Sequence, residues 1–218
     1  MTGISLPDGI AIDDPRPIAA DAPYTFFLPH PAEIEAMQPG DMAQFIFRQT
    51  EGETEYDAER MWVRIERIVD GHVVGTLAST PFDMPLFSPG DPVALPITHM
   101  LAVYYADGHD APQVEGEREY WERCFVDDCV VEGRSRADYL YREEPDMACE
   151  GDEYEDSGWR IRGTREEIAA DEEAGRKAHY CALGVVLNAD DKWLHLIDSP
   201  PDSHFRWDEE RQAYIELR

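Results

Sequence analysis

The feature that most constrains the fold is an Asp-Gly pair, Asp70-Gly71, between two runs rich in β-branched and aromatic residues. The runs cover residues 61–68 and 72–77. Asp-Gly favours the two-residue turn with positive φ at both central positions, whose twist matches that of paired strands. The sequence therefore predicts a β-hairpin. Further strands predicted at 42–47 and 93–97 make this half of the chain a small, mostly antiparallel β domain.

A polar stretch rich in turn-forming residues, 107–116, separates the two halves of the chain. A chain of 218 residues is long enough for one large domain or two small ones. We predict an α+β protein with a flexible N-terminal arm at 1–22, a β-rich domain at 23–106, a linker at 107–116 and a mixed α+β domain at 117–218.

Other elements are predicted from periodicity and from end signals. Thr164 and Glu167 form a capping box that should open a helix running to about residue 173. Pro31 and the acidic residues after it favour a short helix at 31–37. The remaining predictions are helices at 117–123 and 178–187, and strands at 24–28, 124–126, 137–141, 159–161, 194–197 and 214–217.

The charge of the chain limits its partners. Its 47 acidic residues against 19 lysines and arginines give a formal net charge of −28. Such a field repels nucleic-acid phosphates and anionic lipids, so we expect neither nucleic acid nor a membrane as a partner. A basic protein partner, a cation or a high-salt habitat would each suit the charge, and we expect the basic protein partner. No stretch reaches the roughly 18 apolar residues of a membrane span. The N-terminus lacks the pattern of a signal peptide, so we expect a cytoplasmic protein.

Negative charge is concentrated in one run, which has eight carboxylates and no lysine or arginine from Glu143 to Asp156. Aromatic and arginine residues flank the run on both sides, which is typical of recognition surfaces. We predict a partner-binding surface with Tyr139 as a further aromatic contact. Its predicted residues are Tyr141, Arg142, Glu143, Glu144, Asp146, Asp152, Glu153, Glu155, Asp156, Trp159 and Asp198. The alternative is that Tyr141 and Trp159 belong to the core and the carboxylates form a solvated loop.

Motifs for catalysis or metal binding are weak. The acidic run lacks the ligand order of an EF-hand. Neighbouring Glu143 and Glu144 would point to opposite faces of a strand. The four cysteines and seven histidines have no metal-ligand spacing, and we interpret the cysteines as ordinary thiols. We therefore predict no cofactor, no metal site and no catalytic residue.

Several motifs then follow one another in a recognisable order. They are Tyr-Leu-Tyr-Arg-Glu-Glu-Pro-Asp at 139–146, Asp-Ser-Gly-Trp-Arg at 156–160, Leu-Asn-Ala-Asp at 187–190 and Leu-Ile-Asp-Ser-Pro at 196–200. Over residues 120–207 the chain resembles the bacterial immunity-protein family of type thirty-three. Two features depart from the family pattern: residues 147–155 lengthen one link, and the ending at 202–205 differs. We expect the lengthened link to bear on which partner is bound and not on the fold.

The resemblance implies a non-enzymatic protein that neutralises a cognate toxin by binding it. Residues 24–104 are similar to a second small bacterial family of unknown function, on a Met-Trp strand, a hairpin ending in Gly-x-Leu and a Gly-Asp turn. Two alternatives stay open. One is a small-molecule or metal-dependent enzyme in which Glu143 or Glu144 faces Asp198 across a pocket. The other is an accessory protein whose acidic surface keeps it soluble.

Overall fold

The structure is a computed structural model that describes residues 6–52, 55–116, 118–146, 151 and 153–217. About a fifth of the described residues are helical (19%) and a third are in strands (33%), which agrees with the predicted α+β class. Two compact units are present. One comprises residues 1–21 and 26–117, and the other comprises residues 22–25 and 118–218. The predicted boundaries of a β-rich domain at 23–106, a linker at 107–116 and an α+β domain at 117–218 stay predictions.

The first unit is built on a six-stranded antiparallel sheet in the order β1-β2-β3-β4-β5. The sixth strand, β6, pairs with the first half of β2, on the same edge on which β1 pairs with its second half. The predicted hairpin is confirmed: β3 and β4 meet at Asp70 (φ 50°) and Gly71 (φ 72°). The core residues include Phe45, Phe47 and Val63. The elements are β1 (Ile10–Ile12), α1 (Arg16–Asp21), α2 (Pro31–Ala36), β2 (Met42–Gln49), β3 (Ala58–Val69), β4 (His72–Leu77), β5 (Pro92–Pro96), a 3-10 helix (Ile97–His99) and β6 (Met100–Tyr104).

The second unit is built on a mixed six-stranded sheet in the order β10-β7-β9-β8-β11-β12. Strands β7 and β9 are parallel, and the other neighbours are antiparallel. Buried residues of α3 and α5 belong to the same apolar cluster as Leu140, Trp159 and Ile161. The elements are β7 (Arg123–Val126), α3 (Asp128–Val131), β8 (Tyr139–Arg142), β9 (Asp156–Arg162), α4 (Arg165–Ala174), β10 (His179–Ala182), α5 (Leu183–Ala189), a 3-10 helix (Leu194–Leu196), β11 (His204–Asp208) and β12 (Ala213–Glu216).

Two predictions for the N-terminal region are wrong. The segment interpreted as a flexible arm contains β1 and α1, and Ile10 of β1 is buried in the core of the first unit. The strand predicted at 24–28 is absent from this described segment. The Tyr24 amide donates to the side chain of Asn188 at 2.9 Å and so has no strand partner.

Three predictions in the second half are also wrong. Residues 118–122 form no helix, because the carbonyls of Tyr120 and Glu122 accept hydrogen bonds from the residues that follow β10. The helix predicted at 178–187 is a strand followed by a helix, because β10 pairs with β7. The strand predicted at 194–197 is a 3-10 turn, and β11 was not predicted. The Thr164 cap is confirmed, since its hydroxyl accepts from the Glu167 amide.

Candidate partner-binding site

Strand β9 carries the Asp-Ser-Gly-Trp-Arg motif and is buried along most of its length. Asp156 and Arg160 lie four residues apart on the same face of the strand. The guanidinium donates to both carboxylate oxygens, at 3.0 and 2.9 Å. This bidentate pair compensates two charges that are withdrawn from water. The hydrogen bond to Asp156 raises the pKa of Arg160.

The middle of the motif holds neighbouring strands together. The Ser157 hydroxyl donates to the carbonyl oxygen of Arg123 in β7, at 2.7 Å. Gly158 has a φ of +78°, and a Cβ atom at this position would lie 2.1 Å from the carbonyl oxygen of Glu143. Only glycine fits both the backbone conformation and this close approach.

Arg142 and Trp159 fix the segment that follows the last 3-10 helix. The Arg142 side chain donates to the carbonyl oxygens of Ser157 and Ser199, at 2.9 and 2.6 Å. The Trp159 indole donates to the Ile197 carbonyl oxygen at 3.1 Å. The Leu-Ile-Asp-Ser-Pro motif thus supplies backbone acceptors for two side chains of other motifs.

Two exposed carboxylates of the acidic run, Glu143 and Asp146, lie next to the buried ion pair. Glu143, whose side chain is 52% exposed, accepts a 2.9 Å hydrogen bond from Arg160. The other exposed members are Glu144, Asp146, Glu153 and Glu155. We call these five residues the acidic rim. The predicted contact residue Asp152 lies outside the described residues.

Three of the predicted partner-contacting residues have structural roles instead. Trp159 is fully buried, and Asp156 is buried in its ion pair. Arg142 is half-buried, with its guanidinium on backbone carbonyls. None of the three presents its functional group to a partner in this conformation. For Trp159, the alternative of a core residue is correct.

Asp198 and the acidic rim are held by different arginines. Arg118 donates to both carboxylate oxygens of Asp198, at 2.8 and 2.9 Å. Glu143 is bound by Arg160. These ion pairs do not support Glu143 as the residue that faces Asp198 in the enzyme hypothesis, and they do not test the alternative of that hypothesis, Glu144.

Sequence reasoning missed an ionic cluster beside a small cleft of about 140 Å³ in the second unit. Asp171 of α4 accepts from the Cys129 amide in α3 and from Arg134 and Arg176, at 2.6 to 2.8 Å. Burial raises the pKa of Asp171, but the hydrogen bonds outweigh it and lower the pKa to about 2. Cys129 and Arg134 lie 42 and 37 residues before Asp171 in the sequence, so no local motif reveals the cluster.

No group of three or more histidines, cysteines or acids in the described part of the chain is placed to hold a metal ion. Cys124, Cys129 and Cys181 are free thiols. Burial and the neighbouring Asp171 raise the pKa of Cys129 to about 11, which disfavours the reactive thiolate.

A protein-family model matches most of the second unit. Residues 124–217 match the immunity protein Imm33 domain. The Imm33 match begins at the second residue of β7 and ends just beyond β12, so it contains the sheet apart from Arg123, together with the Asp156–Arg160 ion pair. It confirms the predicted immunity-type domain in the C-terminal half. The second family suggested for residues 24–104 stays a prediction.

The other comparisons add no relative. No curated protein and no solved structure matches the chain. Each helix within the described residues is too short or too polar to cross a lipid bilayer.

Proposed function

We propose that this chain is a cytoplasmic, non-enzymatic immunity protein that binds and neutralises a basic toxin effector. The observation that carries the proposal is the match of residues 124–217 to the immunity protein Imm33 domain. The net charge of −28 favours a partner of positive charge. An acidic protein associates fast with a basic one because the charges steer the encounter.

The acidic rim is the part of the surface that we assign to this steering. Glu144, Asp146, Glu153 and Glu155 are exposed and lie on one segment of the second unit. Glu143, at the start of this segment, accepts a hydrogen bond from Arg160 of β9 and so connects the segment to the sheet. Rim charges act mainly on the association rate and on its salt dependence, and less on the dissociation rate.

The first experiment identifies the partner. The full chain is immobilised and exposed to lysate of its own organism at low salt, and bound proteins are eluted with a salt gradient and identified by mass spectrometry. We expect one basic protein that elutes at moderate salt. The purified candidate must arrest growth when expressed alone, and co-expression of the full chain must restore growth.

The second experiment tests the acidic rim with a fourfold variant, Glu144→Gln, Asp146→Asn, Glu153→Gln and Glu155→Gln. Glu143 is kept because it accepts a 2.9 Å hydrogen bond from Arg160, whereas Asp146 approaches the same guanidinium only at 3.7 Å. We expect the association rate with the captured basic protein to fall about tenfold at low salt and its salt dependence to flatten. Stopped-flow mixing over a range of NaCl concentrations measures both.

A matched control removes the same charge from exposed acids of the first unit, with Glu35→Gln, Glu66→Gln, Asp107→Asn and Asp110→Asn. This variant changes the net charge equally, so it isolates the position of the charge from its amount. Equal effects of the two fourfold variants would show that the acidic rim is not part of the interface.

A further inference from the structure

The two faces of the sheet in the second unit differ in chemistry. Along β8 and β11, Leu140 and Phe205 are buried in the apolar cluster with Trp159 and Ile161. Their neighbours Tyr139, Tyr141, His204 and Arg206 point to the opposite face, because side chains alternate along a strand. These four residues are half-buried or exposed. The helices whose buried residues join the apolar cluster pack on the Leu140 face.

Strand register aligns aromatic and cationic side chains across this outer face. His204 lies opposite Tyr141, Tyr141 opposite Arg160, Arg160 beside Phe125, and Phe125 opposite Tyr180. We call these five residues the aromatic row. It crosses five neighbouring strands, from β11 to β10.

The side chains of the aromatic row form two preorganised groups, in which the middle residue, Arg160, is buried and the other four are half-buried. The rings of Phe125 and Tyr180 have centroids 5.0 Å apart, and the Arg160 guanidinium lies 5.4 Å from the Phe125 centroid. Tyr141 and His204 are almost parallel, at 10° and 5.9 Å. Rings held in this way lose little conformational entropy on binding, which is one reason why tyrosine is enriched at energetic centres of interfaces.

The charges on this face favour a cationic partner. Arg160 is already compensated by Asp156 and Glu143, and Arg162 by Asp127. The acidic rim starts at Glu143, which is hydrogen-bonded to the row itself. Aromatic faces attract ammonium and guanidinium groups, and Arg206 already lies 5.4 Å from the Tyr139 ring.

We propose that the aromatic row is the centre of the interface with the basic protein partner, and that the acidic rim lies at its edge. The proposal rests on the function proposed above and assigns the contact surface. Lysine or arginine side chains of the partner would stack on Tyr141 and His204 and pair with Glu143 and Glu144. Central aromatic contacts set mainly the dissociation rate, whereas rim charges set the association rate.

The test uses the full chain and the basic protein purified by the capture experiment. The variants are Tyr141→Ala and His204→Ala, and the matched control is Tyr104→Ala, which removes an exposed ring from the first unit. We expect Tyr141→Ala to weaken binding about tenfold or more through the dissociation rate, with the association rate little changed. His204→Ala should weaken binding less, and Tyr104→Ala should not weaken it.

The outcomes separate this inference from the proposed function. If the full chain captures a toxic basic protein but Tyr141→Ala and His204→Ala both bind it like the unchanged chain, the aromatic row is not the interface and the proposed function stands. If no captured protein is toxic, both proposals fail. Circular dichroism and the urea midpoint establish that each variant is folded. If Tyr141→Ala does not fold, His204→Ala decides the question.

Discussion

At the scale of single residues, Gly158 shows how a motif can be required for folding and not for contact. It lies in β9, which pairs with β7 on one side and with β8 on the other, and its backbone approaches the Glu143 carbonyl. The same residue has a φ of +78°, which an L side chain adopts only at a cost. Steric clash and backbone strain therefore act together at one position.

We predict that Gly158→Ala destabilises the protein by more than about 2 kcal/mol, because both effects apply. Gly133→Ala is the matched control. Its φ is +65°, but a Cβ atom there meets nothing within 4 Å, so it should cost only about 1 kcal/mol. Urea unfolding followed by tryptophan fluorescence measures both. Equal costs for the two variants would show that the close approach to Glu143 is relieved by movement.

At the scale of elements, local signals were predictable and pairing choices were not. The Asp70-Gly71 turn and the Thr164 cap act within a few residues, so the sequence indicated them correctly. Residues 179–182 form a strand because β7 offers a pairing edge, which no window of the sequence contains. The site followed the same rule. Exposed acids were predictable from charge, but the burial of Asp156 depends on a bidentate partner and a folded sheet.

The ionic cluster around Asp171 links α4 to α3 and to the start of the segment leading to β10. The carboxylate in the folded protein has a pKa of about 2, against 3.8 for the ordinary group. A lowered pKa means that the stabilisation is fully present above pH 3.8 and is lost as the pH falls toward 2.

We predict that Asp171→Asn is destabilised relative to the unchanged chain at neutral pH, and that this difference shrinks between pH 3.8 and about 2. The asparagine cannot form ion pairs with Arg134 and Arg176 at any pH. Urea midpoints of both proteins over this pH range measure the difference. A difference that stays constant over the range would mean that the ionised carboxylate is not what stabilises the cluster.

At the scale of the whole molecule, the net charge of −28 affects stability and binding with opposite signs. Like charges repel one another in the compact state, and added salt screens that repulsion. The same salt screens the attraction between the protein and a basic partner. Added salt should therefore stabilise the fold and slow the association with the basic partner.

We predict that raising NaCl from about 20 mM to about 300 mM increases the urea midpoint of the isolated chain, because the Debye length falls below about 10 Å. The fourfold acidic-rim variant carries fewer charges and should show a smaller increase. A urea midpoint that falls with salt would show that the attraction within ion pairs outweighs the repulsion between like charges.

The short segment Ala22–Thr25 has a consequence for the order in which the protein can be assembled during translation. It belongs to the second unit, where Tyr24 and Thr25 are hydrogen-bonded to Asn188. Tyr24 leaves the ribosome 164 residues before Asn188. Residues on both sides of the segment can build the first unit early, whereas the segment itself waits for the residues around Asn188. The second unit is thus completed only after Asn188 has been made, by returning to a stretch of polypeptide made 164 residues earlier.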